Sequence, residues 1–235
     1  MINKKSYIGL IVVVVVFSLI FIPRIFERLN KDKVVTNIRT VNLSEKPLSY
    51  IEINKQKRKV PEFIFLNQDS LYVSNIDFIG KVFLVEFFFT KCPTICPIMN
   101  NNLKYLNDYF SNEDDFKIVS ITVDPQNDTP HVLKKYSENF VENSNKWNFL
   151  TGEQHKIYNL ANNGFNLLAQ VNPNFAGGFE HQGYFALIDK KGYIRSRDDK
   201  FGNPIIYYNG VNNINAPIQG TEMLQEDIKL LLKEN

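Results

Sequence analysis

The stretch Val82-Phe-Leu-Val-Glu-Phe-Phe-Phe-Thr-Lys-Cys-Pro-Thr-Ile-Cys-Pro-Ile-Met99 constrains this chain more than any other. It holds the only two cysteines, Cys92 and Cys96, and a proline follows each. Val82 to Phe89 is apolar except for Glu86 and rich in β-branched and aromatic residues, the pattern of a strand buried on both faces. Beyond the cysteines, Ile98, Met99, Leu103, Leu106, Tyr109 and Phe110 recur at helical spacing. The cysteines therefore lie where a central strand turns into a helix, and open α/β sheets place their chemistry at such strand ends.

The prolines refine the geometry. Pro97 suits the first helical position, where a missing N–H costs nothing. A residue before proline is pushed from helical dihedrals, so Cys92 and Cys96 are both expected to be extended or turn-like, with Cys96 at the N-cap. A thiol there feels the positive end of the helix dipole, which favours its thiolate. The short loop lets the two sulfurs close a disulfide or grip one ion. A purely structural disulfide around so small a loop adds little, about 2 kcal/mol against about 4.7 for a loop of 100 residues. Buried thiols are common in cores, but cores do not need a proline after each cysteine at such a junction.

Phe89-Thr-Lys-Cys-Pro-Thr-Ile-Cys-Pro97 resembles the Cys-Pro-x-x-Cys-Pro signature of the SCO/SenC family of copper-handling, thioredoxin-like proteins. Ordinary thioredoxin-like redox sites space their cysteines as C-x-x-C, whereas three residues intervene here.

The rest of the chain fits a thioredoxin-like α/β fold. Tyr7 to Ile22 is almost wholly apolar, with Lys4 and Lys5 before it and Pro23-Arg24 after it. At 16 residues it is short of the roughly 17–25 of a spanning helix, but flanking Lys, Arg and Tyr can snorkel to extend it. The bulky sequence after it offers no small-x-small cleavage site, so residues 1–23 are expected to be an uncleaved transmembrane signal anchor. Charge on the two flanks does not fix orientation; the cysteine chemistry favours an extracytoplasmic domain, on the outer side of a bacterial cell membrane. Residues 24–58 read as a polar stalk, with one short strand expected within Leu43 to Ile53 and a solvated basic cluster at Lys55 to Lys59.

The folded domain is expected over residues 59–235. Val60 to Ser70 and Leu71 to Val73 read as an N-terminal hairpin, and Phe116 to Val123 as a second apolar strand. Asp128-Thr-Pro130 starts the next helix, with Asp128 or Thr129 as N-cap and Pro130 at the first position. Trp147 to Leu150 reads as a strand and Glu153 to Ala161 as a helix. Gly183 to Asp189 and Tyr193 to Arg197 flank a turn at Lys190 to Gly192, and Met223 to Leu232 forms a closing amphipathic helix. A strand–helix–strand crossover followed by a hairpin and a helix is the thioredoxin-like arrangement, with a mixed sheet at its centre. The resemblance to SCO/SenC covers nearly all of 59–235. The 44% hydrophobic content is that of a globular protein, and the net charge of +2 speaks against a nucleic-acid partner.

Two thiolates make a soft site that selects Cu(I), and an imidazole suits copper in either oxidation state. Three histidines are available. His131 and His155 begin helices and read as solvated. His181 follows the glycine-bearing loop Asn174 to Glu180 and precedes the strand from Gly183. The resemblance implies that the copper-binding histidine lies there, so the implied metal ligands are Cys92, Cys96 and His181. Val123-Asp-Pro-Gln-Asn-Asp-Thr-Pro130 resembles a second signature of the family. Its Asp124 either tunes the site, meets a partner, or only fixes the turn, and it stands outside the ligand set. Glu86 is a costly carboxylate in an apolar strand: protonated, paired, or a proton acceptor for a thiol.

By resemblance, the expected function is a membrane-anchored copper chaperone for a respiratory oxidase, the client being the binuclear copper site of cytochrome c oxidase subunit II. The alternative is a thiol–disulfide oxidoreductase in which Cys92 and Cys96 cycle, through a Cys92–Cys96 disulfide, to keep a client's cysteines reduced. A peroxiredoxin-type peroxidase fits poorly, because its pattern needs Pro and Thr where Val85 and Phe89 stand.

Overall fold

Seven residues, Val82–Phe88 (β6), form the centre of the sheet, and all are buried. The computed structural model describes residues 13–19, 21–23, 47–141, 145–199, 201–216 and 218–234. Preceding β6 are Ser49–Tyr50 (β1), Glu52–Ile53 (β2), Gln56–Lys57 (β3), Ile64–Asn67 (β4) and Tyr72–Ser74 (β5). After it come the helix Cys96–Tyr109 (α1), Phe116–Thr122 (β7), the helix Pro130–Ser137 (α2), Trp147–Thr151 (β8) and the helix Gln154–Asn159 (α3). A π-helical turn, Leu160–Phe165, continues α3 and ends at Asn166 in the left-handed region. Ala169–Val171 (β9), Phe179–His181 (β10), Tyr184–Ile188 (β11), Ile194–Ser196 (β12), Tyr208–Asn209 (β13) and the helix Gly220–Lys233 (α4) complete the order.

Among the described residues the main sheet runs β1-β12-β11-β6-β7-β8-β4-β5, with β13 also on β11. β6 pairs parallel with β7 from Val82↔Phe116 to Phe88↔Thr122, and β7 pairs parallel with β8. On its other side β6 pairs antiparallel with β11, Val85 opposite Ala186. The mixed thioredoxin-like sheet read from the sequence is therefore present. The expected hairpins are there as β4–β5 and β11–β12, and the closing helix as α4.

Alternation along β6 supplies the two halves of the core. Phe88 stacks with Tyr136 of α2 on one face, while Phe87 meets Phe165 of the π-helical turn on the other, at 5.6 and 5.7 Å between ring centroids. Removing either ring would cost about 3–5 kcal/mol. α4 is tied to the residue just after β12 by the buried pair Arg197–Asp227, whose carboxylate also accepts from Tyr208.

Two expectations change. The sheet starts before residue 59: β1, assigned above to the polar stalk, pairs Ser49 with Ser196 and Tyr50 with Arg195, and Leu48 and Ile51 enter the core. The short strand expected within Leu43 to Ile53 is present, but nothing local to it showed that it would join the domain's sheet. The basic cluster lies on and just after the small hairpin β2–β3, its three lysines exposed as expected, with Lys57 over the Tyr50 ring and Lys59 over Tyr193. The N-cap of α1 is Ile95, and Cys96 is the first helical residue rather than an extended one. Proline's restriction on the residue before it is a preference, which the first turn of this helix overrides.

The chain divides into two units, Met1–Asn37 and Ile38–Asn235. In the first, residues 13–19 and 21–23 are helical and most of their apolar side chains are exposed. Among the described residues no helix is long and apolar enough to cross a membrane. Much of the expected anchor, and residues 24–46 of the expected stalk, lie outside the described residues.

Candidate metal centre

The site forms where three segments meet at the C-terminal end of β6. Past Phe88 the chain turns, and the Cys92 N–H donates to Phe89 O at 3.2 Å. Cys92 lies in that loop, 7% exposed, and Cys96 lies at the start of α1, fully buried. The third segment is the two-stranded ribbon β9–β10, in which His181 pairs with Ala169. His181 thus ends a short strand of its own, between the glycine-bearing loop and β11, where the sequence showed only the approach to the Gly183 strand. The ribbon lies close over the cysteine loop: Gly177, at φ +85°, leaves room where a Cβ would come within 2.6 Å of the Phe89 ring. Phe89 also meets Phe179 and His181 edge-on or tilted, at 5.2 and 5.8 Å.

Cys96 Sγ is 3.2 Å from His181 Nε2. The two sulfurs and one histidine nitrogen all lie within 4.8 Å of one another, and this is the only such group of three His, Cys, Asp or Glu ligands among the described residues. His181 Nδ1 is buried and has no hydrogen-bond partner among them. His131 and His155 are exposed, as the sequence implied, and belong to no such group.

Both cysteines are free thiols. The Cys92 thiol is drawn well below its usual pKa, chiefly by a hydrogen bond from Cys96, with His181 contributing. Burial pushes Cys96 up, and the neighbouring Cys92 sulfur pushes it further. The two shifts run in opposite directions, so the thiolate is favoured on Cys92, the less buried sulfur. This reverses the expectation that the helix dipole would favour a Cys96 thiolate: loss of solvent around a fully buried sulfur outweighs the dipole. Two soft sulfurs and an imidazole are a donor set suited to a soft metal ion such as Cu(I).

Glu86 lies beneath the site, fully buried. Its Oε1 accepts from Ser120 at 2.6 Å, and Ser120 Oγ accepts from Trp147 Nε1 at 2.8 Å, but Oε2 has no partner. Burial raises its pKa to about 8, so it is the neutral acid at neutral pH. Asp124 is also buried; Asn127 donates to both its oxygens at 3.0 and 2.8 Å, the local turn-fixing role. Thr129 rather than Asp128 caps α2, accepting from Val132 N at 3.5 Å. Asp128 instead reaches the cysteine loop and bonds Thr90, a partnership that sequence spacing did not reveal.

The SCO1/SenC family profile matches residues 51–214. The chain belongs to the SCO1/SenC family. The SCO1 protein homolog of Bacillus subtilis (strain 168) is 35% identical to it over 157 residues, covering 66% of this chain and 76% of that protein. BsSco, described as a member of the Sco family of cytochrome c oxidase assembly proteins with a disulfide switch, is 30% identical, with a TM-score of 0.63 over 81% of this chain and all (100%) of that one. ScoI of Bradyrhizobium japonicum, solved with copper bound, shares the fold at 22% identity and a TM-score of 0.59, over 74% of this chain and 99% of that one. As a SCO1/SenC chain, this protein carries the family's cysteine signature on the loop and helix start just described.

Proposed function

We propose that this chain is a membrane-anchored copper chaperone that holds copper through Cys92, Cys96 and His181 and delivers it to a respiratory oxidase. The observation that carries the reading is the convergence of two sulfurs and one imidazole within 4.8 Å, from segments 85 residues apart in sequence. The copper-bound state of a protein with the same fold supports the choice of metal. The binuclear copper site of cytochrome c oxidase subunit II is the proposed client, in keeping with the oxidase-assembly description of BsSco. The apolar run Tyr7 to Ile22, with its exposed valines and Phe17, supports a single-pass anchor. The domain then lies on the extracytoplasmic side of a bacterial cell membrane.

Copper titration of the reduced protein tests the reading. One tightly held copper per chain supports it; negligible binding overturns it. A second reading, a thiol–disulfide oxidoreductase that keeps a client's cysteines reduced, draws on the pair of free thiols with one low-pKa sulfur. Rapid reduction of a client disulfide without copper binding would favour it.

A further inference from the structure

The second sequence motif, Asp124 to Pro130, is not accounted for by the metal ligands, yet one of its side chains is built into the cysteine loop. Asp128 is fully buried. Its Oδ2 accepts the Thr90 backbone N–H at 3.0 Å and the Thr122 hydroxyl, and its Oδ1 accepts the Thr90 hydroxyl. Thr122 closes the network at the end of β7, its Oγ accepting from Asp124 N at 3.0 Å. Asp128 is also fixed from behind: its N–H donates to Asp124 O at 2.9 Å, and the next residue caps α2.

Thr90 lies inside the turn from Phe89 to Cys92, which the bond from Cys92 N to Phe89 O closes. Phe89, at the other end of that turn, touches the His181 ring. One carboxylate therefore holds, through two bonds to a single residue, the segment that carries one thiol and braces the histidine. A helix N-terminus needs only a cap, which Thr129 supplies; a buried carboxylate with three donors is costly unless each bond forms, so its placement fixes the groups around it.

We propose that Asp128 is a positioning residue of this site, setting where the Cys92 sulfur stands relative to Cys96 and His181. It does not touch the metal. Loss of its bonds lets the Phe89–Cys92 turn relax, so both the closure of a Cys92–Cys96 disulfide and the geometry of the three ligands change. The first consequence concerns the thiols alone, while the second rests on the copper reading above.

The test uses the full chain with Asp128→Ala, Asp128→Asn, Thr90→Val and Leu133→Ala. Leu133→Ala truncates the buried face of α2 and serves as a control for lost stability. Equilibration with glutathione reads the thiols without metal: the two cysteine thiols give two electrons and two protons to oxidised glutathione, yielding one intramolecular disulfide and two glutathione thiols. The sulfur-to-copper charge-transfer band of the Cu(II) form reads the ligand geometry. Asp128→Ala is expected to shift the exchange constant by about tenfold or more and to move the band. Asp128→Asn is expected to stay within about threefold of wild type, because the amide oxygen can take both Oδ2 bonds and its nitrogen can donate to Thr90 Oγ. Thr90→Val, which keeps the backbone bond, is expected to shift both readouts less, and it stands in if Asp128→Ala does not fold. Leu133→Ala is expected to unfold more easily with neither readout moved. Wild-type readouts in Thr90→Val and folded Asp128→Ala would overturn the proposal; so would Asp128→Asn as damaging as Asp128→Ala, or Leu133→Ala moving both. If wild type bound no copper while the exchange constants followed the expected order, positioning would stand and the copper reading would fail.

Discussion

His181 Nε2 stands 3.2 Å from Cys96 Sγ, although 85 residues separate them in sequence. The contact is made by the ribbon β9–β10, which brings its last residue over the start of α1. The imidazole is thereby held against the more buried of the two sulfurs, and the packing of ribbon on helix start sets the positions of all three donor atoms. Preorganisation of this kind lowers the ordering cost of binding.

His181→Ala is expected to weaken Cu(II) binding by tenfold or more, about 1.4 kcal/mol, and Cu(I) binding less, since Cu(II) prefers nitrogen to a bare dithiolate. Exchange with a small disulfide should persist, because the sulfurs carry it. His131→Ala and His155→Ala are expected to bind like wild type. Competition titrations with both copper ions check this, and a loss confined to His131 or His155 would show that the ligand assignment is wrong.

Oxidation of Cys92 and Cys96 to a disulfide should abolish tight copper binding, leaving a single imidazole. A Cu(I) titration of the oxidised protein is the measurement. Undiminished affinity would put the site elsewhere.

Cys92 is expected to react with iodoacetamide before Cys96, and at pH below the usual thiol range. Its pKa is lowered by the hydrogen bond from Cys96, so the thiolate is present at mildly acidic pH, while Cys96 is fully buried and raised. Peptide mapping after limited alkylation at about pH 6 reads the order. Preferential labelling of Cys96 would contradict the assignment.

Glu86→Gln is expected to remove a pH dependence of stability. Burial raises the native carboxyl to about 8, against about 4.3 in the unfolded chain. Between those values the native state binds the extra proton. The contribution is full below the unfolded pKa and is lost as pH rises through the native one, by an amount on the order of a few kcal/mol. Denaturant unfolding at about pH 5 and about pH 9 should show wild type losing stability relative to Glu86→Gln. Parallel behaviour of the two would mean that Glu86 is not a buried acid.

The elements with repeating patterns were legible without coordinates. The all-apolar run of β6, the helical spacing after Pro97, the hairpin around Lys190 to Gly192 and the periodic face of α4 each declare themselves within a few residues. What escaped was short or aperiodic. The β9–β10 ribbon comprises three residues per strand, too few to establish a period, and β1, though a short strand was expected within Leu43 to Ile53, gave no local sign that it joins the sheet; both are held by partners distant in sequence. The π-helical turn escaped because its carbonyls find Arg58 and Tyr207, both far from it in sequence.

The two cysteines, their prolines and their place at a strand-to-helix junction follow from local sequence, since dihedral preference and apolar pattern act over neighbouring residues. Three matters were decided only by the tertiary structure: that the ribbon brings His181 to Cys96, that burial moves the thiolate to Cys92, and that Asp128 bonds the cysteine loop instead of capping its own helix. Each depends on the distance between, or the loss of water around, groups far apart along the chain, and neither quantity exists until the sheet has brought them together.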